Sequence, residues 1–193
     1  MLDYIKGKIV DISPTYVVID NGGLGYFINI SVNTYSNLSG KEEALIYIHE
    51  VIREDAHQLY GFTNHEEREI FLHLISVNGV GANTARVMLS SLVPNEIVGA
   101  INHNDINLLK SIKGIGAKTA ERIIVDLRDK VAKLSEGEQI IAPLNNTIKD
   151  EALSALVMLG FPKAKVEKVI NDILKQKSNL SVEELIKEAL KRI

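Results

Sequence analysis

The sequence predicts a multidomain α+β protein: a small β-barrel, then a compact all-helical segment, then a separate three-helix bundle. Three observations carry this expectation. The first 64 residues hold short apolar runs punctuated by turn formers, and from about His65 the apolar positions recur with helical period. A turn-rich stretch at 135–147 without amphipathic pattern then interrupts the helical part. At 193 residues, 46% hydrophobic and 24% charged, the chain has ordinary globular composition and room for one large or two to three small domains.

In the barrel segment, Tyr4, Ile5, Ile9, Val10 and Ile12 form a first strand region, Tyr16–Ile19 a second and Tyr26–Ile30 a third. Asn21-Gly22-Gly23 is a hairpin signal, because these residues tolerate the positive φ of tight turns. Ala44–Ile48 and His57–Phe62 are two further strands, joined through Val51–Ala56. Five or six short strands suit a closed or partly open barrel, which removes sheet edges, and an OB-like barrel over 1–64 is expected.

The helical segment, 65–134, places Ile70, Phe71, Leu74 and Ile75 on one face, as it does Ala85, Met88 and Leu89, and later Ala120, Ile123, Ile124 and Leu127. Residues 135–147 read as a flexible linker. In 148–193, Ala152, Leu153, Leu156 and Val157 give one stripe, Val166, Val169, Ile170, Ile173 and Leu174 a second, and Leu185, Ile186 and Leu190 a third. Ser181 and Glu184 have capping-box spacing before the last helix.

Composition excludes several classes. No cysteine is present, which removes disulfides, zinc ribbons, iron–sulfur clusters and thiol nucleophiles, and no cofactor is expected. No apolar run approaches the roughly 20 residues of a membrane span, and Met1–Val10 lacks a signal-peptide layout, so a cytoplasmic protein without a membrane partner is expected. The formal net charge of −3 argues, on its face, against nucleic acid.

An internal repeat points the other way. Leu74-Ile-Ser-Val-Asn-Gly-Val-Gly-Ala-Asn-Thr-Ala85 lies 35 positions before Leu109-Lys-Ser-Ile-Lys-Gly-Ile-Gly-Ala-Lys-Thr-Ala120. Each copy reads helix, Gly-hydrophobic-Gly, helix. Gly79 and Gly81, like Gly114 and Gly116, permit a sharp turn that a ligand can approach closely. The second helix starts at that turn, so its free N–H groups and positive dipole end face an anion. Val80 and Ile115 are expected to lock the turn by burial. A nucleic-acid phosphate fits such a site, and none of these contacts reads a base. Lys118 adds a charge and Thr84 or Thr119 a hydroxyl. The Gly114–Thr119 segment ends like a nucleotide P-loop, but it follows a helix and lacks glycine before the lysine, so that reading fails.

This pattern resembles the helix-hairpin-helix motif of sequence-nonspecific DNA-binding proteins. Together with Arg53-Glu-Asp-Ala56, Leu59-Tyr-Gly-Phe62 and the detached C-terminal bundle, essentially the whole chain resembles the RuvA family, Holliday-junction-binding subunits of the bacterial branch-migration machine. The resemblance implies an OB-fold domain that helps build a homotetramer, a tandem helix-hairpin-helix domain at 65–134, and a UBA-like three-helix domain at 148–193 that binds the RuvB ATPase, with the RuvC resolvase in the larger complex. It implies DNA-backbone contacts from Gly79, Gly81, Thr84, Gly114, Gly116, Lys118 and Thr119. It also implies that Glu54 and Asp55 form an acidic pin near the junction centre. One departure stands out: Asn83 occupies the place that Lys118 holds in the second hairpin, which leaves the first hairpin to backbone N–H groups and Arg86.

Helix-hairpin-helix units also occur in glycosylases and nucleases, so a DNA-processing enzyme is the rival class. Asp126 follows the second hairpin at some distance but reads as a helix-surface acid, the five histidines show no metal-ligand spacing, and Glu66-Glu67-Arg68-Glu69 reads as a solvated helix face. A pure protein adaptor would explain the C-terminal bundle but not two phosphate-binding turns. The charge objection weakens when counted by segment. Met1–Thr63 has four basic residues against eight acids, whereas Lys110–Lys133 has seven basic residues against three acids. The mean conceals a phosphate-repelling segment and a phosphate-attracting one.

Overall fold

The computed structural model describes residues 2–135, 144–177 and 180–192. The chain divides into two units, Met1–Glu138 and Gln139–Ile193.

The first unit begins with the strands β1 (Tyr4–Ser13), β2 (Tyr16–Asn21), β3 (Leu24–Ile30), β4 (Glu43–Ile52) and β5 (His57–Phe62). They close in the order β1-β2-β3-β5-β4, with β4 pairing back onto β1 and only β3–β5 parallel. This is the expected OB-fold barrel. Val17 and Ile19, Ile28 and Ile30, and Ile46 and Ile48 all point inward, because side chains two apart on a strand share a face. Between β3 and β4 lies a helix that the strand pattern does not reveal, α1 (Val32–Leu38). Ser31 caps it by accepting from the Thr34 amide, and Leu38 drops into the barrel core.

The helical part comprises α2 (His65–Ile75), α3 (Ala82–Ser91), α4 (Pro94–Asn102), α5 (Ile106–Lys110) and α6 (Ala117–Ser135). Its core joins Ile70, Phe71 and Leu74 to Met88, Leu89, Ile101, Ile123 and Leu127, and it also takes in Tyr60 and Phe62 of β5. The Phe71 ring lies 5.3 Å from that of Tyr60 and 4.9 Å from that of Phe62. Barrel and helices therefore share buried surface across the 64/65 boundary and belong to one compact unit.

The expectation of a solvated Glu66–Glu69 run is corrected here. Glu66 and Glu69 are exposed, but Glu67 is buried and accepts hydrogen bonds from Ser31 Oγ at 2.5 Å and Thr34 Oγ1 at 2.7 Å. Arg68 pairs with Asp3 at 2.6 Å. The reason is periodic: Glu67 lies three, four and seven residues before Ile70, Phe71 and Leu74, on the face that packs inward.

The second unit contains α7 (Leu144–Met158), α8 (Lys163–Gln176) and α9 (Val182–Leu190) around Ala152, Leu156, Val166, Ile170, Ile173, Leu185 and Ala189. Gly160, at φ 95°, ends α7 in a Schellman turn, with Phe161 N bonded to Leu156 O and Gly160 N to Val157 O. The Ser181–Glu184 capping box forms as expected. Helix claims both ends of the expected linker: Ser135 closes α6, and residues 144–147 open α7 because they adjoin Ile148, which packs on the bundle core. Residues 136–143 lie outside the described residues.

Candidate nucleic-acid interface

The two Gly-hydrophobic-Gly turns have the same hydrogen-bond diagram. In the first, Val77 N bonds Leu74 O, Val80 N bonds Val77 O and Ala85 N bonds Gly81 O. In the second, Ile112 N bonds Leu109 O, Ile115 N bonds Ile112 O and Ala120 N bonds Gly116 O. Even the serines agree, Ser76 Oγ donating to His73 O and Ser111 Oγ to Leu108 O. Val80 and Ile115 are each 5% exposed, so they lock their turns as the sequence predicts.

Gly79 and Gly114 both adopt φ 95°, a conformation that a side chain would strain. Gly81 and Gly116 differ from them. Gly81 has φ −84°, Gly116 lies outside the positive-φ region as well, and a Cβ added at either would meet nothing within 4 Å. The fold itself does not demand glycine there. Bare backbone at these two positions leaves the start of each following helix open to close approach from outside. Gly81 caps α3 without a side-chain hydrogen bond, so the amides of Ala82, Asn83 and Thr84 have no helical carbonyl to bond and no side-chain cap at that position. Ala117, Lys118 and Thr119 hold the equivalent places on α6.

Gly79, Gly81, Gly114, Gly116 and Lys118 are exposed, and Thr84 and Thr119 are half-buried beside their turns. The two hairpins are tied together, since Arg122 of α6 donates to the Asn78 carbonyl at 3.0 Å. Glu54 and Asp55 lie elsewhere, exposed on the turn between β4 and β5, which the Arg53 N to Ala56 O bond closes at 2.8 Å. A groove lined by Ile52, Arg53, Ile75, Val80 and Gly81 runs between that turn and the first hairpin.

Arg86, expected to help the first hairpin, is turned toward the barrel. Its guanidinium donates to Thr15 O at 2.9 Å, Asn29 Oδ1 at 3.3 Å and Asn83 Oδ1 at 2.8 Å. No sequence signal marked this bridge, because Thr15, Asn29 and Arg86 are far apart along the chain. Burial lowers the basicity of His49 and His73 and so favours their neutral forms. Among the described residues, no group of three or more His, Cys, Asp or Glu could hold a metal. Asp126 is exposed on α6. Among the described residues no helix is long and apolar enough to cross a membrane.

Known proteins match the whole chain. The RuvA N-terminal domain family matches residues 1–61, the SAM-like helix-hairpin-helix tandem family 71–129, and the RuvA C-terminal domain family 147–193. The Holliday junction branch migration complex subunit RuvA of Parabacteroides distasonis is 50% identical over 196 residues. Its counterparts are 49% identical over 201 residues in Bacteroides fragilis and 48% over 193 in Christiangramia forsetii. In all three comparisons the match covers 100% of this chain and 100% of the relative. Domain by domain and over its full length, the chain belongs to the RuvA family.

Proposed function

We propose that this chain is a non-catalytic, cytoplasmic subunit that binds four-way (Holliday) junction DNA by its backbone, without reading sequence. The observation that carries this reading is the pair of matching turns whose Gly81 and Gly116 are bare although the fold does not require it. Each turn offers first-turn amides to a phosphate, and Gly79, Gly114, Thr84, Thr119 and Lys118 complete the two sites. Four copies in a homotetramer would present these sites to the four arms of a junction. The acidic Glu54 and Asp55 would then stand near the centre and repel phosphates, holding the junction open.

The C-terminal unit, 148–193, is proposed to recruit the RuvB ATPase, with the RuvC resolvase joining the larger complex. Val157, Met158, Leu159 and Leu190 support that role, since they are exposed large apolar residues among the described residues of that unit, with Met158 86% exposed. ATP hydrolysis would reside in the partner, and tethering would raise the motor's concentration near the junction.

Gel-shift titration of the full chain with four-way and duplex DNA of equal arm sequence tests the reading. Tighter binding of the junction with no change in the DNA is the expected result. Equal affinity for both, or cleavage or base release in Mg²⁺ without a partner ATPase, would overturn it in favour of the enzyme class.

A further inference from the structure

The two hairpins are equal in backbone but not in charge. Position for position, Asn83 and Arg86 on α3 correspond to Lys118 and Glu121 on α6. The first hairpin thus has its cation one turn further along the helix, and the bonds of that cation show what it does. One nitrogen of the Arg86 guanidinium bonds the barrel, at Thr15 O of the β1–β2 turn and Asn29 Oδ1 on β3. The other bonds Asn83 Oδ1 at 2.8 Å. All three acceptors are neutral oxygens.

Two consequences follow. An asparagine amide has an acceptor end and a donor end, and Arg86 occupies the acceptor end. Asn83 is itself exposed in the first turn of α3, where Lys118 stands in the other copy, so its amide N–H can meet an acceptor from outside. The same fork also anchors α3 to the barrel wall near its N-terminus. The helix is held at its other end too, where Asn33 Nδ2 donates to Leu89 O at 2.6 Å and Leu92 O at 3.2 Å, and Ser90 Oγ accepts from Val32 N.

We infer that Arg86 is a positioning residue of the first DNA-backbone site: it turns Asn83 so that its amide N–H donates to a phosphate, in place of a lysine. This rests on the DNA-backbone reading above. Arg86 acts through Asn83 and does not itself reach the DNA. Lysine cannot replace it, because a single ammonium lacks the planar fork that spans three acceptors.

A double-mutant cycle on junction binding by the full chain tests the inference. Asn83→Ala and Arg86→Ala are each expected to weaken binding about tenfold, since each removes the same charge-polarised contact. The double variant should bind no worse than either single one, and Arg86→Lys should behave like Arg86→Ala. Thermal unfolding of all four variants identifies any loss that comes from misfolding, and Arg86→Lys, which keeps the stem and charge, carries the test if Arg86→Ala does not fold. Multiplying losses in the double variant would overturn the inference, because Arg86 would then act independently of Asn83. A salt-dependence slope lowered by about 1 in Arg86→Ala but not in Asn83→Ala would also overturn it, by showing that the arginine itself neutralises a phosphate. If the unmodified chain binds neither DNA, the functional reading fails before the cycle is measured.

Discussion

Glu67 and the four hairpin glycines show how much one residue decides. Burial raises the pKa of Glu67, and the hydroxyls of Ser31 and Thr34 only partly offset that. With its folded pKa above the unfolded one, its contribution is present below the ordinary carboxylate range and is lost as pH rises through the folded value. Glu67→Gln keeps the shape and stays neutral, so its stability relative to the unmodified chain should increase from pH 4.5 to pH 8 in urea unfolding; a difference constant with pH would contradict this. Glu67→Ala strands two hydroxyls and should cost roughly 1–3 kcal/mol. The glycines divide into two pairs. Gly79→Ala or Gly114→Ala should destabilise the fold by about 1–2 kcal/mol, because φ is 95° at both. Gly81→Ala or Gly116→Ala should change folding stability by less than about 1 kcal/mol, yet weaken DNA binding markedly. Thermal melts beside gel shifts separate the two pairs.

At the scale of elements, the helix-hairpin-helix pair was legible in the sequence because identical turn chemistry recurs at a fixed offset, and chemistry repeated in one chain is stronger than a single motif. The barrel strands were legible too, as in Val17/Ile19 and Ile46/Ile48, since period-two burial is written locally. Helix α1 was not. Its seven residues include Thr34, Asn33 and Asn37, weak helix formers, and it exists because Ser31 caps it and Leu38 and Thr34 are buried by elements distant in sequence. Lys118 belongs to this scale because it is exposed in the first turn of α6 and is proposed to add its charge to that helix terminus. Lys118→Ala should weaken binding about equally for all DNA sequences and lower the salt slope by about 1. An unchanged slope in binding titrations from 50 to 200 mM salt would remove Lys118 from the interface.

Over the whole molecule, charge is sorted where the mean hides it. The acidic first 63 residues carry Glu54 and Asp55 at an exposed turn, and the basic 110–133 segment carries the second hairpin and most of α6. The proposed attraction along DNA arms and repulsion at their meeting point would need this separation, not a high net charge. Replacing both Glu54 and Asp55 by Ala should therefore leave junction binding intact or tighter while changing strand separation at the crossover. A large loss of affinity in a gel shift would reverse the role assigned to them. The sequence by itself determined the three-part architecture, the paired hairpins, the locking residues Val80 and Ile115, and the charge contrast, because each depends on residues close together in the chain. Only the tertiary structure decided that barrel and helices share a core through Phe71, that Glu67 is buried, and that Arg86 reaches back to Thr15 and Asn29. Those outcomes depend on which distant groups folding brings within hydrogen-bond reach, and periodicity along one segment carries no information about its partners across the fold.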